Sequence, residues 1–435
     1  MKRWARIVLG VIALVVVAAG LFFFLPARLD AVQASPSQPT GAALVARGEY
    51  LATAADCVAC HSVPGGEPYA GGLAFKLPFG TIYSSNITPD KSHGIGAWSD
   101  AEFVRAMRHG VDNKGRELYP AFPYTAYANM STDDVLAIRA YLNTLQPVAG
   151  DVEPNHLMFP LNQRYLMRGW KLLNGRQHSW QPDPQQSPEW NRGAYLVEGA
   201  GHCGECHTPR NVFYGLNKGE KFAGAVAQGW KAYNITSDRV SGIGNWSVDE
   251  IARYMGTGHS PGRGAASGNM AEAVSLSLRK LAPADLRAMA VYLHSIPAKS
   301  SKDGGKVDLN PPALSASTLY NPPSGETRGG GVGLRLYEGA CASCHGWNGE
   351  GVQTAYGSLR GARTVNDPTA TNLIQVILSG SAIETTEGHL SMPAFGASLS
   401  DAEIAALANY VLQHFGNKRP TVTPARVAEA RKAGG

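Results

Sequence analysis

Cys57-Val58-Ala59-Cys60-His61, Cys203-Gly204-Glu205-Cys206-His207 and Cys341-Ala342-Ser343-Cys344-His345 contain all six cysteines of this 435-residue chain. With 6 cysteines and 12 histidines, the chance of such a string is on the order of 5 × 10⁻⁶ per position, so three copies are a signature. The spacing has a chemical reason. Two thiols add to the two vinyl groups of a haem, a short turn holds them at the porphyrin edge, and the adjoining histidine lies under the iron as proximal ligand. A Cys-x-x-Cys pair alone also suits a redox dithiol or half a zinc site. The histidine in every copy, and the lack of paired knuckles at zinc-finger spacing, point instead to three covalently bound haem c groups. Cys57, Cys60, Cys203, Cys206, Cys341 and Cys344 attach them, and His61, His207 and His345 bind the irons. No cysteine is left for a structural disulfide or a thiol catalyst.

Length and composition agree with this reading. At about 150 residues per domain the chain holds roughly three domains, and 44% hydrophobic residues support ordinary packed cores. The surplus of 39 Lys+Arg over 34 Asp+Glu is only +5, too small to suggest a nucleic-acid partner. Six haem propionates would cancel it. Residues 1–36 form a separate segment, in which Lys2, Arg3 and Arg6 precede an uncharged run over residues 7–25. As a helix that run is about 28 Å long, close to the roughly 30 Å hydrocarbon core of a bilayer. It reads as a retained membrane anchor or as a secretory signal cleaved near Val32-Gln33-Ala34. Either way the basic amino end stays in the cytoplasm and the rest is exported.

Internal repeats mark the domains. Arg47-Gly48-Glu49-Tyr50-Leu51 precedes the first string, and Arg192-Gly193-Ala194-Tyr195-Leu196 the second. Asn86-Ile87-Thr88 with Gly94-Ile95-Gly96-Ala97-Trp98-Ser99 matches Asn234-Ile235-Thr236 with Gly242-Ile243-Gly244-Asn245-Trp246-Ser247. The third copy is shorter, keeping Gly333 to Tyr337 before its string. Apolar periodicity predicts a closing helix in each copy, through Val135, Ile138 and Leu142, through Leu286, Met289 and Leu293, and through Ile404, Leu407 and Val411. Ser131 with Asp134, and Ser400 with Glu403, offer caps, and Pro283 suits a first turn. The fold expected is mainly α, with three tandem haem domains at 37–150, 186–297 and 331–418 after the amino-terminal hydrophobic helix. Residues 151–185 form an apolar linker that packs, 298–330 a Gly/Pro/Ser-rich spacer, and 419–435 a tail that lies on a membrane or partner as a weakly amphipathic helix or stays unordered.

The second axial ligand is a main lever on haem potential, and methionine raises it. Met392, in Ser391-Met392-Pro393-Ala394-Phe395, precedes the third closing helix. Met270 takes the comparable place in the second domain, whereas Met255 and Met289 fall inside helices as core residues. In the first domain Tyr119-Pro120-Ala121-Phe122-Pro123-Tyr124 puts Phe122, which cannot bind iron, where a methionine is expected. Met130 is the nearest replacement, with Met107 and His109 as rivals and simple packing as the alternative. His93, His202, His259, His389 and His414 suit ordinary hydrogen bonding. Trp98 and Trp246 suit a haem wall or a propionate contact, and Asn86 and Asn234 loop architecture or the same contact.

The chain resembles the cytochrome c subunits of membrane-bound bacterial dehydrogenases. The resemblance covers roughly residues 40–415 and rests on the repeated openings and loops, the Tyr119–Tyr124 run, and the linker residues Asn155, Phe159-Pro160-Leu161-Asn162 and Trp170-Lys171-Leu172-Leu173. It implies three domains like class I cytochromes c and a separate catalytic subunit, a quinoprotein, flavoprotein or molybdoprotein. That subunit oxidises the substrate and passes electrons through this chain to membrane ubiquinone or another respiratory acceptor. It also implies the periplasmic face of the inner membrane. Two alternatives are a haem enzyme with an open iron, such as a peroxidase or sulfur-compound oxidase, and a cytochrome subunit of a terminal oxidase.

Overall fold

The computed structural model describes residues 2–25, 29–175, 180–301, 331–386, 388–416 and 421–433. The spacer expected over 298–330 lies outside the described residues from 302 onward. Two compact units result, one of residues 1–181, 198–202 and 212–215, the other of 182–197, 203–211 and 216–435.

The first unit opens with α1 (Lys2–Phe24), long and apolar enough to cross a membrane and solvent-facing along nearly all its length. Its carboxyl end packs on a later helix described below. α2 (Gly41–Ala54) leads into the first Cys-x-x-Cys-His string. A hairpin of β1 (Ala74–Leu77) and β2 (Gly80–Tyr83) follows in antiparallel register, Phe75 opposite Ile82. α3 (Asp100–His109) starts at a full capping box, Ser99 with Glu102, and stops at Gly110, whose φ of 62° favours glycine. α4 (Thr132–Leu142) is the closing helix, with Ser131 accepting the Asp134 N–H. α2 and α4 cross at Gly48, where a β-carbon would overlap the Ala137 carbonyl oxygen. Arg47 Nε donates to Asp134 Oδ1 across the same crossing at 2.7 Å.

Residues read as linker add structure to this unit. β3 (His156–Leu157) pairs with β2, and α5 (Leu166–Asn174) puts Met167 into a small core with Ile82 and Tyr119. Arg168 Nε and Lys171 Nζ both reach the buried Glu117 carboxylate. The end of α1 rests on α5: Arg168 Nη1 donates to the Phe22 carbonyl at 2.8 Å, and the Phe24 and Tyr165 rings lie 5.1 Å apart.

The second unit repeats the helix crossing twice. α6 (Pro188–Tyr195) leads into the second string, and β4 (Ala225–Ala227) pairs with β5 (Trp230–Ala232). α7 (Val248–Thr257) and α8 (Asn269–Leu276) precede the closing helix α9 (Pro283–Ser295), which has its proline at the first turn. Gly193 of α6 faces the Ala288 carbonyl of α9, and Arg192 grips Asp285 with two bonds of 2.9 and 2.7 Å. α10 (Val332–Ala340) leads into the third string, followed by α11 (Thr371–Ser379), the hairpin β6 (Ser381–Thr385) with β7 (Gly388–Met392), and the closing helix α12 (Asp401–Phe415). Here Gly333 faces the Ala406 carbonyl.

The tail takes the helical form of its two expected forms, but docks on its own chain. Residues Pro424–Ala433 form a further helix, α13, that buries Val427 and Ala430 against the third core. Gln375 Nε2 donates to the Ala430 carbonyl at 2.9 Å, and Arg431 pairs with Asp401 at 2.9 Å. The second and third strings share one unit because buried polar contacts join their surroundings. Lys231 Nζ meets Asp367 at 2.9 Å, and the Asn372 amide accepts the Lys231 N–H at 2.7 Å and donates to its carbonyl at 2.9 Å.

Candidate haem sites

Each string forms one short helical turn after its leading helix, which sets two thiols on one edge and the histidine at the end. The three histidines share one hydrogen bond. His61 Nδ1 lies 2.6 Å from the Ser85 carbonyl, His207 Nδ1 2.6 Å from that of Tyr233, and His345 Nδ1 2.6 Å from that of Gly357. A carbonyl only accepts, so Nδ1 carries the proton and Nε2 presents its lone pair. This is the arrangement that orients a metal-bound imidazole. Burial lowers the proton affinity of all three rings, keeping them in the neutral form that binds iron, and at His207 the Arg363 charge acts in the same direction.

The leading thiols of the first and third strings fit haem attachment better than dithiol redox chemistry. Burial and the neighbouring Asp56 charge push the Cys57 thiol up to about 12, and burial pushes Cys341 to about 11. A redox-active pair needs the opposite shift. Among the described residues no cluster of three His, Cys, Asp or Glu side chains forms a metal cage. Two thiols at a fixed spacing with one open imidazole nitrogen therefore suit a haem c at each string.

Met392 ends β7, half-buried, and lines an open cleft of about 510 Å³ with Trp230, Glu272 and His389. Met270 sits half-buried in the first turn of α8. Met130 is fully buried directly before the Ser131 cap, beside Gly199. Its rival Met107 is buried in α3, and His109 ends that helix. Phe122 stacks obliquely with Tyr127, centroids 5.5 Å apart.

The other histidines take ordinary partners: His93 with Asp90 at 3.1 Å, His389 with Glu384 at 2.7 Å, His202 with the Ala55 carbonyl at 3.3 Å. His259 and His414 lie against the Tyr356 and Tyr410 rings. Asn86 and Asn234 serve their loops. Each accepts the backbone N–H and hydroxyl of the threonine two residues on, and each donates to a carbonyl, Val148 for Asn86 and Lys299 for Asn234.

Two features escape a reading of the sequence. The carbonyl acceptors Ser85 and Tyr233 directly precede the repeated Asn-Ile-Thr strings, so the repeat itself could have flagged them. Arg363 has no local signal. It comes from the third-string region, yet its guanidinium lies over the Tyr233 and Trp246 rings, with centroid distances of 5.5 and 5.2 Å. Burial draws its proton affinity down to about 10, with the Arg263 charge adding to the effect.

Residues 45–146 and 332–415 match the family described as Cytochrome c. Over 426 residues the chain is 40% identical to the fructose dehydrogenase cytochrome subunit of Gluconobacter japonicus, covering 93% of this chain and 86% of that protein. It is 38% identical over 405 residues to the gluconate 2-dehydrogenase cytochrome c subunit of Pantoea cypripedii, 90% of each chain. It is also 36% identical over 415 residues to the alcohol dehydrogenase (quinone) cytochrome c subunit of Gluconobacter oxydans, covering 92% of this chain and 85% of that protein.

Proposed function

Since the chain belongs to the family of dehydrogenase cytochrome c subunits, we propose that it is a triheme electron carrier. It takes electrons from a separate catalytic dehydrogenase subunit and delivers them to ubiquinone or another respiratory acceptor. The observation that carries this reading is the repeated 2.6 Å bond from a string histidine to a backbone carbonyl. Haem c bound at each string would supply a one-electron iron couple. The chain's own part is to hold that iron: each string histidine is kept in a single tautomer, and Met392, Met270 and Met130 are the residues that would supply the second ligands. The haem-binding regions are 37–150, 186–297 and 331–418.

The site of action is the periplasmic face of the inner membrane, with α1 retained as anchor. At 1.5 Å per residue its 23 residues span about 34 Å, enough for the hydrocarbon core. The helix that receives its end supports this placement, because α5 and the residue that precedes it set Tyr165 and Trp170 beside Arg168 and Lys171 and leave Leu172 and Leu173 exposed. That mixture suits a membrane–water boundary.

Purification in mild detergent tests the proposal. The expected result is three haem c per chain, a co-purifying dehydrogenase catalytic subunit identified by mass spectrometry, and reduction of the haems on adding that subunit's substrate. Two haems per chain would leave one string without its group and overturn the triheme reading, a copper–haem polytopic partner would place the chain in a terminal oxidase, and rapid cyanide binding to a native haem would favour an enzyme.

A further inference from the structure

Arg363 carries a buried positive charge with no ion-pair partner of its own among the described residues. Nη1 donates to the Asn234 carbonyl at 3.4 Å, and Nη2 to the carbonyls of Ser241, at 3.3 Å, and Gly242. These acceptors are neutral. The nearby acid Asp367 is committed to Lys231, and among the described residues Arg363 forms no ion pair. Its Nε is buried with no hydrogen-bond partner. A buried cation with an open donor is strongly unfavourable unless an anion meets it.

The surroundings say which anion. Asn234 directly follows Tyr233, whose carbonyl holds the His207 imidazole, and the guanidinium lies over Tyr233 and over Trp246 of the second Gly-rich loop. Arg363 thus stands in the wall of the second haem site, although it belongs to the region of the third. A guanidinium fork in such a place matches a carboxylate. We propose that Arg363 is the binding site for a propionate carboxylate of the haem at Cys203-Cys206, so that the third-string region sets the charge around the second iron. Trp246 and the loop carbonyls position the fork.

This inference rests on a haem at the second string, so the haem count of each variant is read first, by pyridine haemochrome. In the full-length holoprotein a positive charge beside the propionate stabilises the reduced iron and keeps the propionate ionised. Spectroelectrochemical titration of Arg363→Gln, which keeps a donor for the loop carbonyls, is expected to show one of three potentials lowered and newly pH-dependent near neutrality. Arg363→Lys is expected to retain most of the parental potential. Asn372→Ala, which loosens the same contact region without altering charge, is expected to leave all three potentials in place. Three unchanged potentials in a three-haem Arg363→Gln protein would overturn the inference, as would equal losses in the Gln and Lys variants or an equal loss in Asn372→Ala. Failure of the second string to carry haem in the parent would instead overturn the functional reading beneath it.

Discussion

The iron ligands are decided one side chain at a time. Met392→Leu and Met270→Leu are each expected to open one iron, so that one equivalent of carbon monoxide binds per reduced chain and one potential falls, since thioether ligation raises it. Met130→Leu is expected to do the same at the first haem; unchanged spectra and potentials would assign Met130 to packing and return Met107 and His109 to consideration. The histidine tautomers depend on backbone carbonyls, which no side-chain substitution removes. This is one reason the Cys-x-x-Cys-His strings are so readable in sequence: chemistry and local geometry are encoded within five consecutive residues. Arg363 is the contrast. Its meaning comes from Asn234, Ser241 and Gly242, more than 120 positions away, and no periodicity or spacing records such a contact.

At the scale of elements, the repeated glycines set how closely a leading helix meets its closing helix. Gly48, Gly193 and Gly333 each face a carbonyl with no room for a β-carbon. Replacing any of them by alanine is expected to cost about 1–3 kcal/mol, read as a lower midpoint of unfolding. The Arg-Gly pairs at 47–48 and 192–193 were visible as repeats, but their role was not, because a sequence does not show which helix will lie opposite. Caps were more legible: Ser131 and Ser400 accept the N–H of Asp134 and Glu403 as the sequence indicated. Ser99 caps α3 without having been singled out, and Ser99→Ala is expected to cost about 1 kcal/mol through the lost helix start. The Ser99 N–H and hydroxyl hold the Glu102 carboxylate below its ordinary range. A depressed folded-state value stabilises above the unfolded value of about 4.3 and is lost as pH falls through the folded one. Acid titration followed by circular dichroism should therefore show Glu102→Gln differing from the parent above pH of about 4 and converging with it below. The short hairpins escaped a mainly helical reading because strands of three to five residues leave too little alternation to detect.

For the whole chain, the amino terminus is the point where sequence left two readings. The contact of Phe22 and Phe24 with α5 favours retention. Protein extracted from membranes is accordingly expected to keep the residues of α1, whereas a mature start near residue 35 would make that helix a secretory signal. The docked α13 and the Lys231–Asp367 pair bear on a different matter, inheritance. Modular chains are often pictured as beads that evolution or an engineer can exchange freely. Here the stretch from 182 to the carboxyl terminus contains Lys231 and its Asp367 partner, both buried, along with Arg363 beneath the second loop. A graft that replaced the last hundred residues with a foreign haem module would strand a lysine and empty the cradle around Trp246. The second and third modules are better exchanged together than apart, and chimeras cut at the spacer should fold less well than chimeras that keep both.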